Sequence, residues 1–279
     1  MSDPSPPADD QDTLRITPSA TALTIAGSDP SGGAGLQADL KTFQQLGVYG
    51  MSVVTLLTVQ NTLAVTRVHV LPPDLIQEQF LAVLSDIPPR AIKTGALGNV
   101  DVVHAVSDLL TDVTCPIVVD PVLVSKHGHL LADDCVVEAY RQKLLPHAFL
   151  VTPNRFEAER LANLALTDEN SVCEAILRIQ EFGAKFVLIK LGTVNGMSQH
   201  MLGVGETNYC IETPALRRNN THGSGCILAA AITAKLALGE TDISAAVHFG
   251  IHRTYEAVYL NTHLGQGIHP AEIRGMRRE

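Results

Sequence analysis

The residues Asn220-Thr-His-Gly-Ser-Gly-Cys226 run straight into an apolar, alanine-rich stretch from Ile227 to Leu238. Two glycines separated only by serine let the backbone turn sharply and come close to a ligand, and the alanines make helix the favoured continuation. The first amides of a helix have no intrahelical acceptors. Gly223, Ser224, Gly225 and Cys226 would therefore present N–H groups to an anion, helped by the helix dipole, and phosphate is the natural guest. The same pattern also describes a loop with a capping serine that merely starts a buried helix, so the rest of the chain has to decide.

The elements that must position this loop follow from hydrophobic periodicity. Leu23 to Gly27 reads as a buried strand entering the loop Ser28 to Gly35, after which Leu36, Leu40 and Phe43 sit at helical spacing until Gly47. Met51 to Val59 is a second strand, Val65 to Leu71 an edge strand, and Pro73 begins a helix carrying Leu75, Phe80, Leu81 and Leu84. Short strands at 91–95, 116–120 and 149–152 then alternate with helices at 99–111, 133–145 and 155–164. A helix at 171–182 leads to a strand at 185–190, strands at 197–204 and 207–213, and a last long helix at 242–260. This alternation predicts an α/β fold: a doubly wound, mostly parallel central sheet with helices on both faces and small β elements at its edge. Ligands of such sheets bind beyond the carboxyl ends of the strands, where Gly27, Gln60, Lys93, Asp120, Asn154 and Lys190 fall.

Composition narrows the partners. With 279 residues and no linker-like break, residues 20–279 read as one domain, preceded by a Pro-, Asp- and Ser-rich tail over 1–19 that is expected to be flexible. A net charge of -9 argues against nucleic acid or an anionic membrane as main partner, and no apolar stretch is long enough to span a bilayer. Five scattered cysteines without a C-x-x-C pair fit reduced thiols and a cytoplasmic location. His127-x-His129 and His248-x-x-x-His252 lack a further matched ligand, so metal binding by histidine is not expected.

Gly33-Ala-Gly-Leu-Gln-Ala38 matches a loose dinucleotide fingerprint, but the second strand ends at Val59-Gln60-Asn61 with no acidic residue for a ribose, and no P-loop motif is present. A fuller pattern fits better. Ala26-Gly-Ser-Asp-Pro-Ser-Gly-Gly-Ala-Gly-Leu-Gln-Ala-Asp-Leu-Lys-Thr-Phe43, Val59-Gln-Asn-Thr62, Lys93-Thr-Gly95, Val119-Asp-Pro-Val122, Thr152-Pro-Asn-x-x-Glu-Ala-Glu159 and Asn220 to Cys226 closely resemble the hydroxymethylpyrimidine kinase branch of the ribokinase-like superfamily. The resemblance spans residues 20 to 260. It implies Mg2+-dependent transfer of phosphate from ATP to 4-amino-5-hydroxymethyl-2-methylpyrimidine, and then to its monophosphate, in thiamine biosynthesis. A neighbouring branch acts on pyridoxal.

Carried over residue by residue, the resemblance places a small aminopyrimidine alcohol against Gly27, Asp39, Gln60 and Val122. Asp39 and Gln60 offer the hydrogen bonds such a ring needs. Lys190, Asn154 and Thr221 would bind nucleotide phosphates, and Glu157 and Asp120 would serve magnesium, a hard cation that prefers oxygen and often binds through water. The sugar kinases of the superfamily have an aspartate base where this chain has Cys226. A thiol at a helix N-terminus is expected to have a lowered pKa and to accept the substrate's proton. The resemblance also implies a homodimer, with the edge strand near 64–71 as one surface.

The chain departs from the family's usual pattern at Ala96, where a methionine is common, at Leu191 and Thr193, and at Ile227 after the cysteine. Ala96 leaves more room in the substrate wall and keeps a pyridoxal-type substrate as the alternative. The other departures keep open a catalytically silent, ligand-sensing protein.

Overall fold

A computed structural model describes residues 20–124, 133–260 and 262–278. The N-terminal tail and His127-x-His129 lie outside the described residues. The strands form one nine-stranded sheet in the order β3-β2-β1-β4-β5-β6-β7-β8-β9. These are β1 (Thr21–Ser28), β2 (Tyr49–Gln60), β3 (Val65–Val70), β4 (Ala91–Thr94), β5 (Ile117–Val119), β6 (Leu150–Val151), β7 (Phe186–Val194), β8 (Met197–Val204) and β9 (Thr207–Pro214). The centre, from β2 through β7, is parallel. β3 joins β2 antiparallel at one edge, and β8 and β9 continue β7 as an antiparallel ribbon at the other.

Side-chain alternation along each strand feeds two cores. Leu23, Ile25, Ile117 and Val119 face a layer built by α2 (Pro73–Asp86), α3 (Val100–Leu110), α4 (Asp134–Ala139), α5 (Arg155–Ala162) and α6 (Glu169–Glu181). Ala22, Val118 and Leu188 face α1 (Gly35–Gln45), α7 (Ser224–Ala237) and α8 (Ile243–Tyr259). Helix α7 is apolar on every side, and accordingly nearly all of it from Ile227 onward is buried. The sheet, the layers and the edge strand agree with the expected doubly wound, mostly parallel fold.

Two local expectations fail. In α2 the buried face is Ile76 and Phe80, while Leu75 and Leu81 are 43% and 50% exposed. The helix expected over 133–145 is regular only to Ala139. It then widens into a π-turn over Tyr140–Leu144 and a short 3-10 turn over Leu145–His147, where Pro146 has no N–H to close a regular turn.

Candidate active site

At the carboxyl ends of the parallel strands lies a cavity of about 920 Å3. Gly27, Gln60, Lys93, Asp120, Asn154 and Lys190, each from a different strand or the loop beyond it, all line it. Val122, Glu157, Thr221 and residues 223–226 complete its walls with Ala96 and Thr193. Ile227 is buried in the core behind α7 and does not line the cavity, so that departure is a packing change. His248 and His252 lie on α8 away from the cavity, where the first bonds Ser244 and the second faces Glu256.

The loop before α7 is shaped by Gly223, whose φ of +80° no branched side chain adopts without strain. A Cβ there would lie 1.8 Å from the Gly33 carbonyl, because the two glycine loops touch backbone to backbone. The helix cap is Gly223 and makes no side-chain bond, so the capping-serine reading does not hold. Ser224 N–H donates to Thr221 O at 3.2 Å, Ile227 N–H to Gly223 O at 2.9 Å. The amides of Gly225 and Cys226 have no partner among the described residues and stand at the positive end of a fourteen-residue helix.

A strap from the C-terminal region braces this loop. His222 N–H donates to His269 O and His222 O accepts from Ala271 N–H, while Ile268 N–H reaches Thr62 O in the turn between β2 and β3.

Cys226 corrects one expectation. Its thiol is pushed up to about 12, because burial outweighs the pull of Lys93 and of a hydrogen bond from the Gly35 amide. Asp39 and Asp120 add to the rise. Burial therefore sets the direction of the shift, and the thiol is protonated at neutral pH.

Two lysine–aspartate pairs flank the cavity floor. Lys93 Nζ donates to Asp39 Oδ2 at 2.7 Å, with both side chains fully buried, and Thr24 Oγ1 donates to the same oxygen at 2.6 Å. Burial opposes the lysine's charge, but Asp39, Cys226 and Asp120 together hold Lys93 above the usual lysine range. Asp39 does not line the cavity. It stands behind Lys93, which does line the cavity and which sequence reasoning placed at the rim without a role.

Lys190 Nζ donates to Asp120 Oδ1 at 3.0 Å, with side-chain exposures of 17% and 3%. Lys190 was expected at a strand's end. It sits within β7, just before a bulge at Leu191, and the strand continues as a hairpin with β8. A Cβ on Gly225 would lie 3.5 Å from Lys190 Nζ, which places the ammonium against the amides of the anion loop.

Asn154 and Glu157 form a reciprocal capping box at the start of α5: Glu157 N–H donates to Asn154 Oδ1 at 2.9 Å and Asn154 N–H to Glu157 Oε2 at 2.8 Å. Burial raises the Glu157 carboxyl to about 7 against the pull of Lys190, and Asp120 adds to the rise. His200, the cross-strand partner of Lys190, also lines the cavity. Burial and Lys190 hold its imidazole down to about 4, so it is neutral at physiological pH.

The residue that sequence reasoning missed is Asp29. Its Oδ1 accepts from Ser31 N–H at 2.8 Å and Ser31 Oγ at 2.7 Å, and its Oδ2 accepts from Ala34 N–H at 2.9 Å and Gly33 N–H at 3.2 Å. The segment that looks like a dinucleotide cradle has folded around its own carboxylate, so those amides are not open to a phosphate. The signal was present in Asp29-Pro-Ser, an Asx-turn pattern. Oδ2 also faces His222 Nε2 at 2.8 Å, and Gln60 Nε2 lies 3.2 Å from the same ring nitrogen.

A strand-end cavity with open helix amides, two lysines and three carboxylates is suited to moving a phosphoryl group. Sequence and structural relatives agree. The phosphomethylpyrimidine kinase family matches residues 29–272. A hydroxymethylpyrimidine/phosphomethylpyrimidine kinase of Synechococcus elongatus is 42% identical over 254 residues, covering 89% of this chain and 95% of the relative. The pyridoxal kinase of Staphylococcus aureus, solved with ADP, superposes with a TM-score of 0.85 at 36% identity, covering 92% and 94%. A phosphomethylpyrimidine kinase of Clostridium difficile superposes at 0.76 with 38% identity, covering 86% and 99%. On this geometry and these likenesses, the chain belongs to the phosphomethylpyrimidine kinase family and is a phosphotransferase.

Proposed function

We propose that the chain transfers the γ-phosphate of ATP to the hydroxymethyl oxygen of 4-amino-5-hydroxymethyl-2-methylpyrimidine, and then a second phosphate to the monophosphate, as a cytoplasmic step of thiamine biosynthesis. The observation that carries this reading is the single cavity that joins the open amides of Gly225 and Cys226 and the Lys190 ammonium to the Gln60 carboxamide. The amides and Lys190 meet the transferring phosphoryl group. Gln60, with Gly27 and Val122 as walls, meets the ring, and the sealed Lys93–Asp39 pair supports the floor beneath it. The substrate oxygen forms a bond to γ-phosphorus as the bond to the ADP oxygen breaks. The hydroxyl proton leaves late, passing to an oxygen of the transferred phosphoryl group or to water, since phosphoryl transfer depends mainly on positioning and charge stabilisation. The protonated Cys226 thiol acts there as a weak donor and a wall.

Among the described residues no group of three or more His, Cys, Asp or Glu is placed to hold a metal by itself. Asp120 and Glu157, both lining the cavity and both oxygen donors, fit Mg2+ held largely by nucleotide phosphates and water. Bound there, Mg2+ would offset phosphate charge. No helix among the described residues is long and apolar enough to cross a membrane. We read the assembly as a homodimer in which the exposed β2–β3 edge, with Leu57 and Val59 turned outward, is one surface.

Ala96 in the cavity wall supports a second reading, a pyridoxal-type substrate, which the name of the Staphylococcus aureus relative also suggests. Turnover with each alcohol at saturating Mg-ATP decides between them. A higher kcat/KM for the aminopyrimidine is expected. A higher value for pyridoxal would replace the first reading with the second, and ligand-induced thermal stabilisation without turnover of either would favour a sensor.

A further inference from the structure

The glycine loop 28–35 and the anion loop 220–226 are far apart in sequence but locked together in space. A Cβ on Gly33 would lie 2.3 Å from His222 Cδ2, and one on Gly223 would lie 1.8 Å from Gly33 O, so the two loops are in close contact with no room for a side chain between them. Gly35 and Cys226 line the same stretch of cavity wall at this junction. A polar link at this junction is the bond between Asp29 Oδ2 and His222 Nε2, with side chains only 3% and 2% exposed. Asp29 is itself immobilised by the loop amides that surround it. Its carboxyl is held below the usual carboxylate range, because bonds from His222 and Ser31 outweigh burial. The imidazole thus donates from Nε2 to a fixed carboxylate.

We propose that Asp29 is a positioning residue for phosphoryl transfer: acting through His222, it clasps the glycine loop to the anion loop and fixes where the amides of Gly223 to Cys226 stand. This rests on the kinase reading above. Asp29 lines the cavity wall, but in this role its carboxylate oxygens are occupied by the chain's own donors. A buried carboxylate surrounded by amides suits it, because an internal anion organises the loop without competing for the substrate's phosphate. Small displacements of a positioned group lower rate far more than they lower binding.

The test compares Asp29→Ala and His222→Leu, which break the clasp, with His222→Gln, whose carboxamide nitrogen can still donate to Asp29. Two readouts are taken on the full chain: steady-state kinetics, and peptide-resolved iodoacetamide labelling of Cys226 without ligand. Both clasp-breaking variants are expected to lose at least thirtyfold in kcat while KM for ATP and for the alcohol stays within threefold. Cys226 should label at least tenfold faster in both, because the glycine loop packed beside it is no longer held in place. His222→Gln should retain at least a third of wild-type kcat, and formate should restore part of the activity of Asp29→Ala by filling the vacated amide nest.

Wild-type-like kcat in Asp29→Ala or His222→Leu would overturn the proposal, as would unchanged Cys226 labelling in both. If Asp29→Ala does not fold, the two His222 variants decide the question by the same criteria. Should the wild type phosphorylate no alcohol, the kinase reading fails, and the labelling rates still decide the clasp.

Discussion

Lys93 and Lys190 are the same residue type at the same rim, each paired with an aspartate, and they differ in what surrounds them. Lys93 and Asp39 are sealed from solvent, 2.7 Å apart, with Thr24 as a further donor. Lys190 and Asp120 are looser at 3.0 Å and open to the cavity beside Gly225. A sealed pair has no room to exchange partners. It holds β4 to α1 and cannot lose one member without leaving a buried charge. An open pair can release its lysine to an incoming phosphate and its carboxylate to a cation. Identical chemistry has been divided between scaffold and work by a difference of depth.

The sharpest way to break that contrast is Lys93→Met. It strands Asp39 and should lower stability by about 3–5 kcal/mol, read from urea unfolding, and adding Asp39→Leu should recover most of the loss. A single variant as stable as wild type would remove the distinction. Lys190→Met should do the opposite. We expect kcat to fall by about 10²–10³, the scale for losing one transition-state donor, with the urea midpoint nearly unchanged.

Cys226→Ala tests the floor between the pairs. With the thiol protonated, both phosphorylation steps should slow by the same factor, about tenfold, or about 1.4 kcal/mol of barrier. A loss confined to the first step would restore Cys226 as a base. The smallest effect is in alkaline stability. The folded thiol titrates near 12 against about 9 for a free one. The folded state therefore holds this proton more tightly, and its contribution is complete below pH 9 and declines as pH rises toward 12. Unfolding midpoints at pH 8 and pH 10 should differ less in Cys226→Ala than in wild type.

The strand-end rim was legible from sequence because apolar β-branched runs end where polar residues begin, and the sheet's topology gathers those ends by rule. Depth was not legible. Asp39 lies in a helix with the spacing of a surface carboxylate, and only the fold shows that its face turns under the sheet. The same blindness misjudged Leu75 and Leu81, whose apolar character does not say which side of α2 meets the core. It also reversed the Cys226 thiol, since a local rule about helix ends gave no measure of burial. Asp29 was passed over because Gly33-Ala-Gly reads as a cradle for a foreign anion. Nothing in the spacing shows that the cradle is already filled by the chain itself.

The strap at 268–271 gives the site a history. The anion loop leaves the ribosome well before His269 and Ala271, which bond His222 on both sides, and before Ile268, which reaches back to Thr62. A nascent chain can thus complete its sheet, and even α7, while its phosphate site remains unbraced. Bracing of the phosphate site thus waits on residues 268–271, which follow every strand and α7 in the chain.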